Sequence, residues 1–520
     1  MKPYHSLVLL IYVTIILFAL SYFAPEGVLS LNGYDLKVFR SKDLFPENTH
    51  TPAKDISAIV AIGEVDTAAV LVESDSAVAA SLDSTKHQAA DSTLTKELEL
   101  DPNLRIQYPD SNPAVLYNFF AALDSIPTKH QLIRALHIGD SQIEGDRITS
   151  FLRHRFQKQF GGCGVGLVPI FEMTDARQTI EPRADAHWIK YAAYGAAGRR
   201  PIHNYFSPMA SYFRFYPLRT VTRSDTAAGD STPTFTTRSV PSVKAQGQWT
   251  TADVKYTISS RYYPLNGKVE QIKLFYRNEA NPFELVVKAD KDTLASEHFE
   301  PQTGLSVYQH NVDKTPRTFK FTFKGSYSPD VYGACFDCKE GIAFDNIPLR
   351  GSSGLEFSKT NAAFLKQQLN ALNTRFLILQ FGVNVVPNEV KSYQFYEDAF
   401  YKQLQILRAA SPSMTILVIG LSDMSKRVNG EYVSYGNITK IRDAQRNAAF
   451  KAGCAFWDLY EAMGGENSMP SWVNAHPSLA AKDYTHFSPR GAQIVAEMLY
   501  KSLILEYNEY HHRKKRGLIQ

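Results

Sequence analysis

Apolar and polar positions follow four different rhythms along the chain. Residues 6–23 (SLVLLIYVTIILFALSYF) are 18 positions without a charge. As a helix this run spans about 27 Å at 1.5 Å per residue, close to the roughly 30 Å of a bilayer core. It predicts a membrane anchor or signal segment over residues 1–24. The one local cleavage candidate is Tyr22-Phe23-Ala24, followed by Pro25, so an uncleaved anchor is favoured, with the bulk of the chain outside the cytoplasm. Residues 46–107 then hold no Phe, Tyr or Trp, although aromatics make up 12% of the chain. Without such anchors for a core, residues 25–107 read as a flexible linker.

From residue 108 the pattern becomes globular. Residues 114–123 have helical spacing, and 132–138 (LIRALHI) form a short apolar run entering a turn at Gly139, as a buried strand does. Residues 143–160 read as a helix stopped by Gly161-Gly162. Between about 185 and 344 the period shortens to two. The runs 252–259, 269–276, 283–289, 306–311 and 318–323 (TFKFTF) are strands of a β-sandwich. Helix–strand alternation then returns. Helices are expected at 361–372, 396–410, 438–452 and 489–507, with strands at 376–380 (FLILQ), 414–419 and 454–458. Strands alternating with helices argue for a parallel sheet with helices on both faces. The expected organisation is an α/β domain in two segments, 108–180 and 346–510, a β module over 181–345 between them, and a basic tail over 511–520.

Composition adds exclusions. In 520 residues, 44% are hydrophobic and 21% charged, which is globular composition and excludes a disordered or multi-span chain. A net charge of +4 is too mild at this length to argue for nucleic acid. Four cysteines exclude a disulfide scaffold. Cys335 and Cys338 form a lone CxxC, read as a small disulfide or buried thiols rather than a zinc site, which needs two more ligands. Cys163 and Cys454 read as core thiols.

Four short motifs carry chemistry. Gly139-Asp140-Ser141 places a serine between a strand and a helix, where its oxygen is exposed and helix amides stabilise an anion; alone, it reads as an N-capping serine after a tight turn. Asp483-Tyr484-Thr485-His486 puts a base and its orienting carboxylate on one loop before the last helix. Gly382-Val383-Asn384 ends the FLILQ strand, where ligands sit in parallel sheets and an amide donates to an oxyanion. Gly351-Ser352-Ser353-Gly354 is a loop whose small residues admit a substrate close to the backbone.

In this order the motifs resemble the SGNH (GDSL-type) hydrolase family, whose blocks supply Ser, Gly, Asn and His. The resemblance covers about residues 130–505 and implies a three-layer α/β/α domain. It makes Ser141 the nucleophile, His486 the base and Asp483 its orienting group. The oxyanion hole would be the Ser141 and Gly354 amides with the Asn384 side chain, Gly351 competing with Gly354. Residues 155–169, 333–334 and 341–346 around a β insertion resemble the peptidoglycan O-acetylesterase branch, in which a carbohydrate-binding-like, jelly-roll-like module interrupts the domain. Two positions depart from that pattern: Gln142 stands where the branch has His, and Val385 where the family has Asp.

The resemblance implies a serine esterase that removes O-acetyl groups from a cell-envelope polysaccharide, with no metal or organic cofactor. An O-acetyltransferase would use the same triad. A third class is a non-catalytic polysaccharide-binding protein using Trp188, Trp249, Tyr262 and Tyr263, which read equally as core. The expected partners are an acetylated polysaccharide and a membrane through residues 6–23, on its periplasmic side, with no nucleic acid.

Overall fold

The computed structural model describes residues 11–16, 28–31, 34–37, 54–62, 102–172, 177, 179–195, 200–225, 234–259 and 263–519. Two compact units are distinguished, residues 1–53 with 426–433, and residues 54–425 with 434–520. In the first, residues 11–16 are helical, and strand Val28–Leu31 runs antiparallel to Tyr34–Lys37. Asn429-Gly430 turns with positive φ at both positions, 50° and 92°, the Asn-Gly hairpin preference. Apart from residues 11–16, the anchor expected over 6–23 lies outside the described residues. Among the described residues no helix is long and apolar enough to cross a membrane.

The second unit is built on a parallel sheet. Its strands are β1 (Leu132–Gly139), β2 (Gly341–Pro348), β3 (Thr374–Gln380), β4 (Thr415–Ile419) and β5 (Ala455–Trp457). They lie in the order β2-β1-β3-β4-β5, every neighbouring pair parallel. The strands are largely buried on both faces because helices cover both. In β3, Phe376 and Ile378 face a core shared with α1 (Tyr117–Asp124), α2 (Thr149–Phe160) and α6 (Pro489–Lys515). Leu377 and Leu379 face the other core, with α3 (Ala362–Ala371), α4 (Gln394–Ala410) and α5 (Ile438–Lys451). This is a three-layer α/β/α arrangement.

Between α2 and β2 the described residues form a two-stranded ribbon, Leu218–Asp225 with Thr234–Pro241, and two larger antiparallel sheets. One has the strand order 292–299, 283–289, 318–325, 250–258, 180–184; the other 302–311, 271–278, 330–337, 211–215, 188–192, with 164–168 also paired to 330–337. Their inner faces share one core. Phe319, Phe321 and Phe323 alternate inward from the first, and Phe213, Phe215, Ile272, Leu274 and Phe336 come from the second. Face-to-face packing of this kind is a β-sandwich.

Several expectations shift. Strand Gly164–Val168, expected in the first α/β segment, belongs to the sandwich. β2, expected partly in the insert, is an edge strand of the parallel sheet; its run GIAFDNIP is buried on both sides, which an alternation pattern cannot assign. Two described stretches of the expected linker, 54–62 and 102–107, contribute to the core. Ile56, Ile59, Leu104 and Ile106 are buried in the α1/α2/α6 core, so aliphatics supply the anchoring without aromatics, while residues 63–100 lie outside the described residues. The helix expected from 143 begins at Thr149, because Gly145 and Asp146 have positive φ. α6 runs on to Lys515, taking in half of the expected tail.

The cysteine pairing also differs. Cys163 is joined to Cys338, 175 residues away, while Cys335 is a buried free thiol. Cys335 lies within strand Asp330–Asp337 and contributes to the α3/α4/α5 core. Cys338 follows that strand, beside the start of strand Gly164–Val168. The bridge therefore links the chain's entry into the sandwich with its exit. Trp188 is core, packed edge-on to Phe215 and Phe323, and Tyr263 stacks on His154. Trp249 is 63% exposed, and Tyr262 lies outside the described residues.

Candidate active site

Ser141 sits where β1 ends. Gly139 passes so close to β3 that an added Cβ would lie 2.6 Å from the Gln380 carbonyl oxygen, which requires glycine there. Asp140 follows as the cap, its Oδ1 accepting the Gln142 amide at 3.0 Å. Burial pushes the Asp140 carboxyl up to about 7, against the opposing effect of the Gln142, Val383 and Gly382 amides. Those last two amides belong to the turn after β3, and the Asp140 N–H donates to the Gln380 carbonyl at 3.1 Å, which ties the Ser141 loop to the end of β3.

His486 reaches Ser141 from the far end of the sequence. Its Nε2 lies 2.8 Å from Ser141 Oγ, and its Nδ1 lies 2.7 Å from Asp483 Oδ2. Asp483 Oδ1 accepts the amides of Thr485 and His486, both at 3.0 Å. Burial raises the Asp483 pKa, but these bonds from His486 and Thr485 outweigh it and hold the carboxyl below its ordinary value. An ionised Asp483 accepts a hydrogen bond from His486 Nδ1–H, which leaves Nε2 as the acceptor for the serine hydroxyl. Ser488 then caps α6, its Oγ accepting the Gly491 amide at 3.1 Å. The three residues predicted as a nucleophile–base–orienter set are brought together.

The predicted oxyanion donors divide. Asn384 is exposed at the end of β3, and one of its two amide hydrogens goes to the Ser352 carbonyl at 2.9 Å. Gly354 is buried, and its N–H is already donated to Ser352 Oγ at 2.9 Å. Its φ of +81° and the Phe381 ring, 2.7 Å from an added Cβ, account for the glycine without a ligand. Gly351 is exposed, with open space around it. Both glycines belong to the loop that accepts the Asn384 amide at the Ser352 carbonyl. Val385, at the family's Asp position, is buried in the α3/α4/α5 core.

A cavity of about 850 Å³ opens beside this loop. Glu144 of the Ser141 loop and Arg350-Gly351 form one side of it, and Trp188, Lys190 and Tyr194 of the sandwich form another. Glu144 and Arg350 are ion-paired at 3.3 Å. Among the described residues, Cys163, Glu270 and Cys338 bring three potential metal ligands together, but the sulfurs are bonded to each other.

No family model matches the chain, and no curated protein matches it. Among solved structures, a peptidoglycan O-acetylesterase superposes with a TM-score of 0.57 at 22% identity, covering 75% of this chain and 96% of that one. The two chains share a fold. An acetyl xylan esterase matches at TM-score 0.25 and 14% identity, over 31% of this chain and 81% of that one. A family two carbohydrate esterase from Clostridium thermocellum in complex with cellohexaose matches at 0.21 and 9%, over 53% and 96%. The last two scores carry no weight. The fold puts Ser141 and Asn384 just after the carboxyl ends of adjacent strands β1 and β3, where open parallel sheets hold their ligands.

Proposed function

We propose that the protein is a serine esterase that removes O-acetyl groups from a cell-envelope polysaccharide, peptidoglycan foremost. The observation that carries this is the Ser141–His486–Asp483 chain of short contacts, 2.8 and 2.7 Å. Ser141 Oγ attacks the acetyl carbonyl as His486 Nε2 takes its proton. Asp483 holds the imidazolium that forms. The remaining Asn384 amide hydrogen and backbone amides of the Ser141 and Gly351 loops stabilise the oxyanion. His486 returns its proton to the departing sugar oxygen, leaving an acetyl-serine that water hydrolyses by the reverse path.

The insert's share of the cavity wall supports a glycan substrate, as does the fold shared with a peptidoglycan O-acetylesterase. Hydrolysis is favoured over transfer to a sugar because the relay is wet, with the His486 side chain 30% and the Asp483 side chain 51% exposed; transfer requires water to be kept out. The Cys163–Cys338 bridge supports a location outside the cytoplasm, as does the apolar run at 6–23. The test is acetate release from O-acetylated peptidoglycan by the full chain, beside Ser141→Ala and with a glycan acceptor in parallel. Release lost in the variant supports the esterase. Full release by the variant overturns it, and serine-dependent acetylation of the acceptor with little free acetate replaces it with a transferase.

A further inference from the structure

The segment 140–147 carries more than the nucleophile. Gln142 is 2% exposed, and its amide nitrogen donates both hydrogens, to Ser422 Oγ at 3.0 Å and to the Thr485 carbonyl at 2.7 Å. Arg147 donates through Nη1 to the Phe487 carbonyl at 3.2 Å and through Nε to the Glu144 carbonyl of its own loop at 2.7 Å. Thr485 and Phe487 are the residues on either side of His486. The backbone of the base is therefore held on both flanks by side chains of the loop that carries the nucleophile.

Other bonds of the histidine loop do not fix that distance. Ala481 N–H to the His486 carbonyl at 2.7 Å, Tyr484 N–H to the Ala481 carbonyl at 3.0 Å, and the Asp483 bonds lie within the loop and would travel with it. Ser425 N–H, at 3.0 Å from the Tyr484 carbonyl, ties the loop to the body of the domain but not to Ser141. Tyr484 sits at φ +55°, so the loop holds a conformation that costs free energy and needs outside support.

We propose that Gln142 and Arg147 are positioning residues that set the separation of His486 from Ser141 by gripping the chain at Thr485 and Phe487. This rests on the reading of Ser141 as a nucleophile. It gives a role to Gln142, which stands where the resembling branch has histidine: an N–H donor aimed at the Thr485 carbonyl. Neither side chain touches the reacting atoms. Their effect belongs in the rate of serine attack rather than in substrate affinity, because a displacement of about 1 Å in a catalytic group costs on the order of 100-fold.

The experiment uses two probes that need no knowledge of the natural substrate, p-nitrophenyl acetate turnover and the rate of Ser141 labelling by a fluorophosphonate. The variants are Gln142→Glu, Gln142→His, Gln142→Ala and Arg147→Met, each with a thermal melt. Gln142→Glu has nearly the same shape but turns an acceptor towards the Thr485 carbonyl; kcat and labelling should fall on the order of 100-fold with KM unchanged. Gln142→His keeps a donor and should retain more activity than Gln142→Ala. Arg147→Met should lose on the order of 10-fold, since its bond is longer and less buried. Should Gln142→Glu fail to fold, the order of Gln142→His over Gln142→Ala and the Arg147→Met loss carry the test. Labelling within twofold of wild type in Gln142→Ala and Arg147→Met overturns the proposal, as does equal loss in Gln142→His and Gln142→Ala. Ser141→Ala retaining turnover would instead overturn the esterase reading, so the two failures are distinguishable.

Discussion

The α/β domain and the sandwich bury their strands differently, and this separates where substitutions act. Strands β1 and β3 are buried on both faces and end in loops that carry Ser141 and Asn384, so the candidate chemistry collects where the buried strands stop. Sandwich strands such as Thr318–Gly325 are buried at every second residue, and their aromatics point into a core with no titratable partner for Ser141. A change in the first region's loops should alter rate with little change in stability. A change on the second region's inner face should alter stability with little change in rate per folded molecule. The shared wall of the cavity is where the two meet.

His486→Ala makes the sharpest break. Removing the base should lower kcat at least about 10³-fold, while the melting transition moves by less than about 0.5 kcal/mol, because the ring is part-exposed at a loop. Phe336→Ala should do the reverse. Phe336 is fully buried, with the rings of Tyr256 and Phe319 at 4.9 and 5.2 Å, and its truncation should cost about 3–5 kcal/mol in denaturant unfolding. Turnover of a small ester by the folded fraction should be unchanged. Cys163→Ser with Cys338→Ser opens a covalent loop of 175 residues and should cost about 2–5 kcal/mol, again read in unfolding rather than in kcat.

A pH experiment reaches beneath the site. His137 lies in β1, bonded at both ring nitrogens to Thr149 and Gln380, and burial lowers its pKa from 6.5 to about 4. The unfolded chain takes up this proton first as pH falls, so stability is lost between about pH 6.5 and 4, by about 3 kcal/mol in total. Asp140, with its raised pKa, works in the opposite direction over a similar range. The prediction is therefore made for the stability difference between wild type and His137→Gln, in which Asp140 cancels. That difference should shift against the wild type on acidification; a pH-independent difference would mean that His137 is not held neutral. The smallest effect is expected at Trp249, exposed on the sandwich, where Ala should change stability by less than about 0.5 kcal/mol.

What the sequence shows follows from how local each feature is. Asp483 and His486 stand three apart and Ser141 follows a strand-ending glycine, so their chemistry is visible in short windows. The apolar runs of β1 and β3 are equally local. The pairing of Cys163 with Cys338 is not, because it depends on two strands meeting after 175 residues, and the nearby CxxC draws attention to the wrong partner. Gly351 and Gly354 share positive φ; what separates them, burial, the Phe381 ring and the Ser352 hydroxyl that takes the Gly354 amide, is tertiary. Gln142 is visible as a departure from a pattern, but its function needs the Thr485 carbonyl, 343 residues away. Ile56 and Ile59 lie in a stretch whose composition argues against a core, and two aliphatic side chains at and just before one short helix are too weak a periodic signal to overrule it.

The central claim is that Ser141 becomes acylated. The most direct measurement is mass spectrometry of the protein acid-quenched during turnover of an O-acetylated glycan, followed by peptide mapping. The account predicts one acetyl group on the peptide carrying Ser141, lost on further incubation and absent from Ser141→Ala. Steady turnover with no acetyl on that peptide, undiminished in Ser141→Ala, would contradict it.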